Sequence, residues 1–152
     1  MLRDVVTHMA LNGEYEPSAA EWVRNQVAKY EATGGAEGNK VLNRPIVVIT
    51  SRGHLSGKLR KNPVMRVEKD GVYAAVASQG GAPEHPTWFH NFVADPVVDL
   101  QDGPEVKSYR ARLAEGEVRA EWWERAVAAF PNYADYQEKT EREIPVFLLE
   151  AV

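Results

Sequence analysis

The sequence contains no cysteine among its 152 residues. Disulfide bonds, thiolate metal sites, iron–sulfur clusters and cysteine nucleophiles are therefore excluded. Any redox chemistry must use a bound cofactor instead. The composition, 44% hydrophobic and 26% charged, is that of a single globular domain with its own core.

Long apolar runs are also missing. Runs such as Ile46–Ile49 and Val146–Leu149 are far shorter than the roughly 20 residues that a membrane-spanning helix needs. The first residues lack the basic stretch followed by an apolar one that marks a secretory signal, so we expect a cytoplasmic protein. A frayed or docked N-terminus is one interpretation of residues 1–15. The alternative is peripheral membrane contact through one apolar helix face, formed by Leu2, Val5, Val6 and Met9.

Positive charge is scarce overall but concentrated in one stretch. The formal net charge is −4, from 18 Lys and Arg against 22 Asp and Glu, which argues against a nucleic-acid-binding protein. Residues 52–69 carry six cations against Glu68 alone, a local charge of +5 that leaves −9 for the rest. Because like charges repel, this cluster predicts a local anion site, with a solvated strand face as the alternative.

Hydrophobic spacing predicts helices and short strands. Apolar residues three and four apart after Pro17 indicate a helix, which ends at the glycine-rich linker Thr33–Asn39. Further helices are predicted over 85–94, 116–130 and 132–139. The pattern predicts six strands, with Asp70-Gly71 as the turn between the second and third: 46–50, 63–67, 72–77, 97–100, 106–112 and 144–150.

Most of these strands follow one another without an intervening helix. Such an order favours an antiparallel sheet over a doubly wound parallel one. We therefore predict an α+β, mainly β fold: a small six-stranded antiparallel barrel, closed or half-closed, with flanking helices. Residues 1–40 are predicted to form an N-terminal helical segment and linker, and residues 41–152 the barrel.

The loop Arg52–Asn62 is a candidate phosphate cradle. Gly53 and Gly57 lie among its cations, and backbone N–H groups in such a loop converge on an anion. The loop is not a P-loop, because the glycine spacing is one residue too short and Leu59 replaces the Ser or Thr that binds magnesium. No metal site is predicted.

A second glycine pair ends the third strand, in Ser78–Gly81, and the next helix presents Trp88 and Phe89. Flat aromatic side chains beside an open backbone suit a planar ring system, although both could equally be core residues. His85 and His90 lie about 140° apart around this helix and so do not face one metal ion.

Four segments together resemble the deazaflavin-dependent nitroreductase family, whose members use coenzyme F420: Ile49–Val64, Val76–Phe92, Phe130–Gln137 and Arg142–Phe147. They match in order and with matching spacing from about residue 43 to the end. The resemblance implies a split β-barrel of the flavin-reductase type. It also implies an oxidoreductase that transfers a hydride from reduced F420 to a small activated acceptor: an enone or lactone, a quinone or a nitroaromatic compound.

The resemblance implies three groups of site residues. The cofactor phosphate and acidic tail are expected at His54, Leu55, Ser56, Lys58, Arg60, Lys61 and Asn62. The cofactor ring is expected against Val76, Ala77, Ser78, Gln79, Trp88, Phe89 and Asn91. The acceptor is expected against Met65, Ser78, Phe130, Tyr133 and Tyr136.

This chain departs from the family pattern at two cofactor positions. Leu55 stands where a basic residue is common, and Gln79 where Lys is common. Losing these cations is expected to weaken tail binding or shift it onto Lys58 and Lys61. Phe130 replaces a Tyr found in some members, which implies a less polar acceptor pocket.

Reduction of such an acceptor adds a hydride and leaves an anion that needs a proton or a hydrogen-bond donor. Ser78 and Tyr133 are the candidate catalytic residues, although Tyr133 could equally be an ordinary rim tyrosine. Two alternative functions remain: a reductase that binds FMN in the same barrel, and a non-catalytic carrier of the coenzyme. We expect a monomer or homodimer with a small-molecule partner and no nucleic acid.

Overall fold

The computed structural model describes residues 11–152. The apolar N-terminal face predicted at residues 2–9 lies outside the described residues, so the membrane contact stays a prediction. No helix in the described part of the chain is long and apolar enough to cross a membrane.

The fold is mainly β, an antiparallel curled sheet with helices packed against it. Residues 11–152 contain four helices: α1 (Glu21–Ala32), α2 (Thr87–Ala94), α3 (Gly116–Ala129) and α4 (Asn132–Glu138). They contain eight strands: β1 (Lys40–Val41), β2 (Arg44–Arg52), β3 (Leu59–Met65), β4 (Glu68–Lys69), β5 (Val72–Val76), β6 (Val97–Asp102), β7 (Glu105–Leu113) and β8 (Val146–Ala151).

Every strand pair in this sheet is antiparallel. The hydrogen-bonded order is β1-β2-β6-β7-β8-β5-β4, and β3 pairs with β2 over residues 46–52. The predicted turn is present, since Asp70 and Gly71 join β4 to β5 with φ angles of 53° and 83°. Two adjacent left-handed residues are the geometry that a tight hairpin requires.

The prediction of six strands differs from the eight observed. The two additional strands, β1 and β4, have only two residues each, too few for an alternating pattern to be visible in the sequence. The start of β3 also differs from the prediction, because three of the four residues before Pro63, namely Arg60, Lys61 and Asn62, are charged or polar. The strand begins at Leu59 rather than Pro63, so the basic loop ends at Lys58.

Side chains on the two faces of the sheet form two separate cores. On one face, six strands contribute buried residues such as Val47 and Ile49, and Phe92 of α2 joins this cluster. On the other face, α1, α3 and α4 cover a cluster that includes Ile46 and Val48. Because β2 is buried on both faces, it appears in the sequence as a continuous apolar run.

Candidate active site

The glycine loop between β2 and β3 is held in place by helix α2. The Gly53 N–H donates to the carbonyl of Lys58 at 2.7 Å, which closes the loop. The His54 N–H donates to Asn91 Oδ1 at 2.9 Å, and the His54 ring nitrogen Nδ1 lies 2.7 Å from the same oxygen. Asn91 is 2% exposed, so this contact is a buried anchor for the loop.

The remaining loop residues face solvent. Leu55 is 90% exposed, and the Ser56 hydroxyl accepts a hydrogen bond from the Lys58 N–H at 3.1 Å. The loop N–H groups predicted to bind phosphate are therefore of two kinds. The His54 N–H is bonded to Asn91, whereas Leu55 and Ser56 stand at the exposed tip.

Strand alternation separates the cations of β3. Arg60 and Asn62 line a groove of about 330 Å³ together with Gln79 and Trp88. Lys61 lies on the opposite face, where it forms an ion pair with Glu31 of α1 and stands 5.0 Å from the centre of the Tyr15 ring. Residues i and i+2 of a strand share one face, so the predicted cationic site is divided into two.

Acidic residues near the N-terminus lie against these cations, and the sequence analysis did not identify them. Lys58 Nζ is 3.5 Å from Glu14, and Arg60 Nη1 is 3.2 Å from Glu16. The segment is fixed to β3, because the Leu59 N–H donates to the carbonyl of Glu14 at 2.7 Å and the Leu59 carbonyl accepts from the Glu16 N–H at 2.9 Å. Carboxylates two residues apart are the sequence signal that could have suggested a pairing with a basic strand.

A second cavity, of about 350 Å³, lies on the face of the sheet that α1, α3 and α4 cover; we call it the aromatic cavity. All the predicted acceptor residues line it: Met65, Ser78, Phe130, Tyr133 and Tyr136. Phe130 and Tyr133 meet edge to face, with ring centres 5.0 Å apart. Trp22 of α1 and Leu42 of the β1–β2 turn also line the cavity, and neither was singled out from the sequence. A volume of this size and an aromatic lining suit a small planar organic molecule.

Tyr133 is buried within this cavity wall. Its side chain is 3% exposed, and burial, with a smaller contribution from Tyr136, raises its pKa well above the ordinary tyrosine value. The hydroxyl therefore stays protonated at neutral pH. It is suited to donating a hydrogen bond to an anion, whereas complete transfer of its proton would leave a buried phenolate.

Ser78 occupies a turn with an unusual backbone. The next residue, Gln79, has a left-handed φ of 46°, and Gly81 follows with φ 83°. A Cβ placed on Gly81 would lie 2.7 Å from the carbonyl oxygen of Tyr136, so α4 packs directly against this turn. The turn thus brings Ser78, which is 7% exposed, beside the aromatic residues of α4.

The two cavities adjoin each other. Both are lined by Trp22, Pro63, Gln79, Pro86 and Trp88. Of the predicted ring contacts, Val76, Ser78, Gln79 and Trp88 line one cavity or both, whereas Ala77, Phe89 and Asn91 line neither. Phe89 instead packs on Phe147 of β8 and on His85, with ring centres 5.5 and 4.1 Å apart. No group of three His, Asp or Glu side chains suited to a metal ion occurs within residues 11–152.

A comparison with protein families assigns the chain to one of them. The family model of F420H(2)-dependent quinone reductases matches residues 22–151, which include every residue that lines the larger cavity and all but Ser18 of those that line the groove. The chain belongs to the F420H(2)-dependent quinone reductase family. The family predicted from the four sequence segments is therefore confirmed.

Individual relatives of this quinone reductase family member are similar over most of their length. A Mycobacterium tuberculosis protein named F420H(2)-dependent quinone reductase Rv1261c is 29% identical over 126 residues, which cover 80% of this chain and 85% of the relative. A solved F420-H2 dependent reductase, FDR-A, is 54% identical with a TM-score of 0.67, covering 73% of this chain and 98% of that one. A further structure, described as a domain-swapped dimer, is 51% identical with a TM-score of 0.69, covering 88% of this chain and all of the other.

Proposed function

We propose that this protein reduces a quinone with reduced F420, and that the two adjoining cavities hold the two reactants. As a member of its family the chain is an oxidoreductase that uses this coenzyme. The observation that supports the placement is the shared wall, since Gln79 and Trp88 border both the groove beside Arg60 and the aromatic cavity. A donor and an acceptor in adjoining cavities can be held in contact, which removes much of the entropic cost of their encounter.

The groove fits the anionic part of the coenzyme. Arg60 supplies a guanidinium, and Asn62 an amide donor, on the same face of β3. Charge-assisted hydrogen bonds from such groups are about twice as strong as neutral ones. The ring is assigned to the wall formed by Trp88, Gln79 and Val76. In this placement Asn91 acts through His54, by holding the glycine loop, and Lys61 contributes only from the far face.

Bound reduced F420 supplies the hydride. The chain orients the acceptor between Met65 and the aromatic residues of α4. Addition of a hydride to a quinone leaves a quinol anion, and we assign to the Ser78 and Tyr133 hydroxyls, which line this cavity, the donation of hydrogen bonds to its oxygen. Because burial keeps Tyr133 protonated, we assign it charge stabilisation. The proton that completes the quinol comes from solvent, and the Ser78 hydroxyl can relay it by giving up one proton as it takes another. Enones, lactones and nitroaromatics are further acceptors that the mostly apolar cavity would admit.

Titration with F420, monitored by tryptophan fluorescence, tests whether the protein binds the coenzyme. The catalytic half is tested by anaerobic oxidation of reduced F420 with menadione. Saturable binding with turnover is expected. A yellow protein as purified, with no response to F420, would instead indicate FMN, and tight binding without turnover on any acceptor would indicate a carrier.

We further propose that the sheet closes as a six-stranded split barrel in which β3 and β4 act as one bent strand. The β3 strand pairs with β2, β4 pairs with β5, and the carbonyl of Val67 between them accepts the Ala74 N–H at 2.9 Å. Residues 1–40 would then be the N-terminal unit added to the barrel of 41–152. The domain-swapped relative favours the homodimer, which light scattering during gel filtration tests directly.

A further inference from the structure

The guanidinium of Arg142, between α4 and β8, is bound by the backbone of the strand end and turn that carry Ser78. It donates to three carbonyl oxygens: Ala77 at 3.2 Å, Ser78 at 2.8 Å and Ala82 at 2.9 Å. Nη1 also lies 2.9 Å from the ring nitrogen Nδ1 of His85. One side chain therefore joins the end of β5, the turn after it and the approach to α2.

Among residues 11–152 this cation has no acidic partner. No carboxylate lies within ion-pair distance of Arg142 in residues 11–152, and burial lowers its pKa from the usual arginine value. Arg142 is partly buried, and removing a charge even partly from water without a counter-ion costs free energy, which the dipoles of the three carbonyls offset. The planar fork of arginine suits this task because several donors point in fixed directions.

The turn that Arg142 binds is strained. Gln79, Gly80 and Gly81 have successive left-handed φ angles of 46°, 65° and 83°. A non-glycine residue in this region costs about 1–3 kcal/mol and persists only where the surroundings enforce it. Within the turn, the Gly81 N–H donates to the Ser78 carbonyl at 2.9 Å, and the Ala82 N–H to the Gln79 carbonyl at 3.1 Å. Arg142 shares the Ser78 carbonyl with the first of these bonds.

The same contact reaches the wall of the candidate site. Because the Arg142 guanidinium is a donor only, the His85 Nδ1 beside it must be the acceptor, which places the imidazole proton on Nε2. The His85 ring lies against Phe89 of α2, with ring centres 4.1 Å apart. Arg142 thus links the Ser78 turn, through His85, to the helix that bears Trp88.

We propose that Arg142 is a positioning residue for the reaction, which holds the Ser78–Gly81 turn in its strained form and so places the Ser78 hydroxyl and Gln79 at the junction of the two cavities. The expected effect of Arg142 on turnover rests on the proposed function. The expected effect on the turn can be measured in the cofactor-free protein. Arg142 itself lines neither cavity. Its substitution should therefore lower turnover without removing a direct contact to either reactant.

The test compares Arg142→Met and Arg142→Lys with Arg112→Met as the matched control. Arg112 is a half-exposed arginine on β7 whose side chain pairs with Glu150 of β8 rather than with the Ser78–Gly81 turn. Amide hydrogen exchange of Gly81 and Ala82 is measured first in the cofactor-free protein. We expect exchange at least about tenfold faster in Arg142→Met, an intermediate effect in Arg142→Lys, and none in the control.

The second readout is the division of the effect between kcat and KM for menadione. A misplaced catalytic group costs about 10- to 100-fold in rate. We expect such a loss in kcat for Arg142→Met, with KM changed by less than about threefold. Millimolar guanidinium should restore part of the lost kcat, because it can occupy the position of the missing Arg142 guanidinium. The Arg112→Met enzyme should have the same kcat as the wild type, and guanidinium should not change it.

Unchanged exchange of Gly81 and Ala82 in the Arg142 variants would overturn the inference, as would a kcat loss no greater than the unfolded fraction explains. If Arg142→Met does not fold, Arg142→Lys provides the same exchange and kcat measurements. A wild-type protein that neither binds nor oxidises reduced F420 would overturn the proposed function instead. The exchange measurement would then still decide whether Arg142 holds the turn.

Discussion

Replacing Arg60 with Met should weaken F420 binding, whereas replacing Lys61 with Met should leave it nearly unchanged. The two cations are neighbours in sequence and equal in charge, but β3 turns them to opposite faces. Arg60 lines the groove beside Trp88, and Lys61 is paired with Glu31 beneath α1. A long-range electrostatic effect alone would act on both similarly, so the pair of variants separates direct contact from net charge.

The size of the effect follows from two opposing contributions. A hydrogen bond to a charged group contributes about 1.5–3 kcal/mol. Arg60 must give up its exposed ion pair with Glu16 at 3.2 Å, and such pairs are worth about 0.2–1 kcal/mol. A net loss of about 1–2 kcal/mol corresponds to a Kd about 5- to 30-fold higher for Arg60→Met.

The assay is titration with F420, monitored by tryptophan fluorescence at low and at physiological salt. Glu16→Gln removes the competing carboxylate and should tighten binding by up to about fivefold, with a smaller gain at higher salt because the pair is exposed. Equal weakening by Arg60→Met and Lys61→Met would refute the assignment of the tail to one face. Tighter binding in Glu16→Gln that disappears when Arg60 is also replaced would support it.

Three further results are expected. Tyr133→Phe should lower kcat by about tenfold or more while F420 affinity changes little, because one donor to the developing anion is lost; an equal effect on both would make Tyr133 a binding wall. Gly81→Ala should lower the free energy of unfolding, measured by urea denaturation, by about 2–4 kcal/mol, because the new Cβ meets the Tyr136 carbonyl and the backbone φ is left-handed. The control Gly57→Ala has a φ of 75° but open space around it, so its free energy of unfolding should fall by only about 1 kcal/mol. Burial and the nearby Arg142 lower the pKa of His85 in the folded protein. The contribution of neutral His85 to stability is therefore present above the unfolded pKa of about 6.5 and is lost as pH falls through the lower folded pKa. Urea unfolding at pH 7.5 and 5.5 should show this loss of unfolding free energy in the wild type and a smaller loss in His85→Gln.

Local sequence signals predicted the local parts of the fold. Helix α1 and the Asp70-Gly71 turn follow from spacing and turn chemistry within a few residues. The start of β3 did not follow, because Arg60, Lys61 and Asn62 are weak strand formers that pairing with β2 places in the sheet. Likewise, no pattern within residues 52–62 shows that adjacent cations face opposite ways.

The candidate site was predictable only in part. Met65, Phe130, Tyr133 and Tyr136 were grouped by the family resemblance, and the cavity brings them together. The partners Glu14, Glu16 and Glu31 were missed because each contact joins residues about 30 or more positions apart in the chain. Arg142 was missed for the same reason, since its partners are carbonyl oxygens, which carry no signature in the side-chain sequence.

The most direct measurement is an anaerobic reaction of the purified protein with reduced F420 and menadione, in which oxidised F420 is followed by its absorbance and the quinol is quantified. We expect one oxidised F420 for each quinol formed, at a rate proportional to enzyme concentration and saturable in both reactants. No oxidation above the uncatalysed rate, in a protein shown to be folded, would contradict the proposal that the two adjoining cavities form a quinone reductase site.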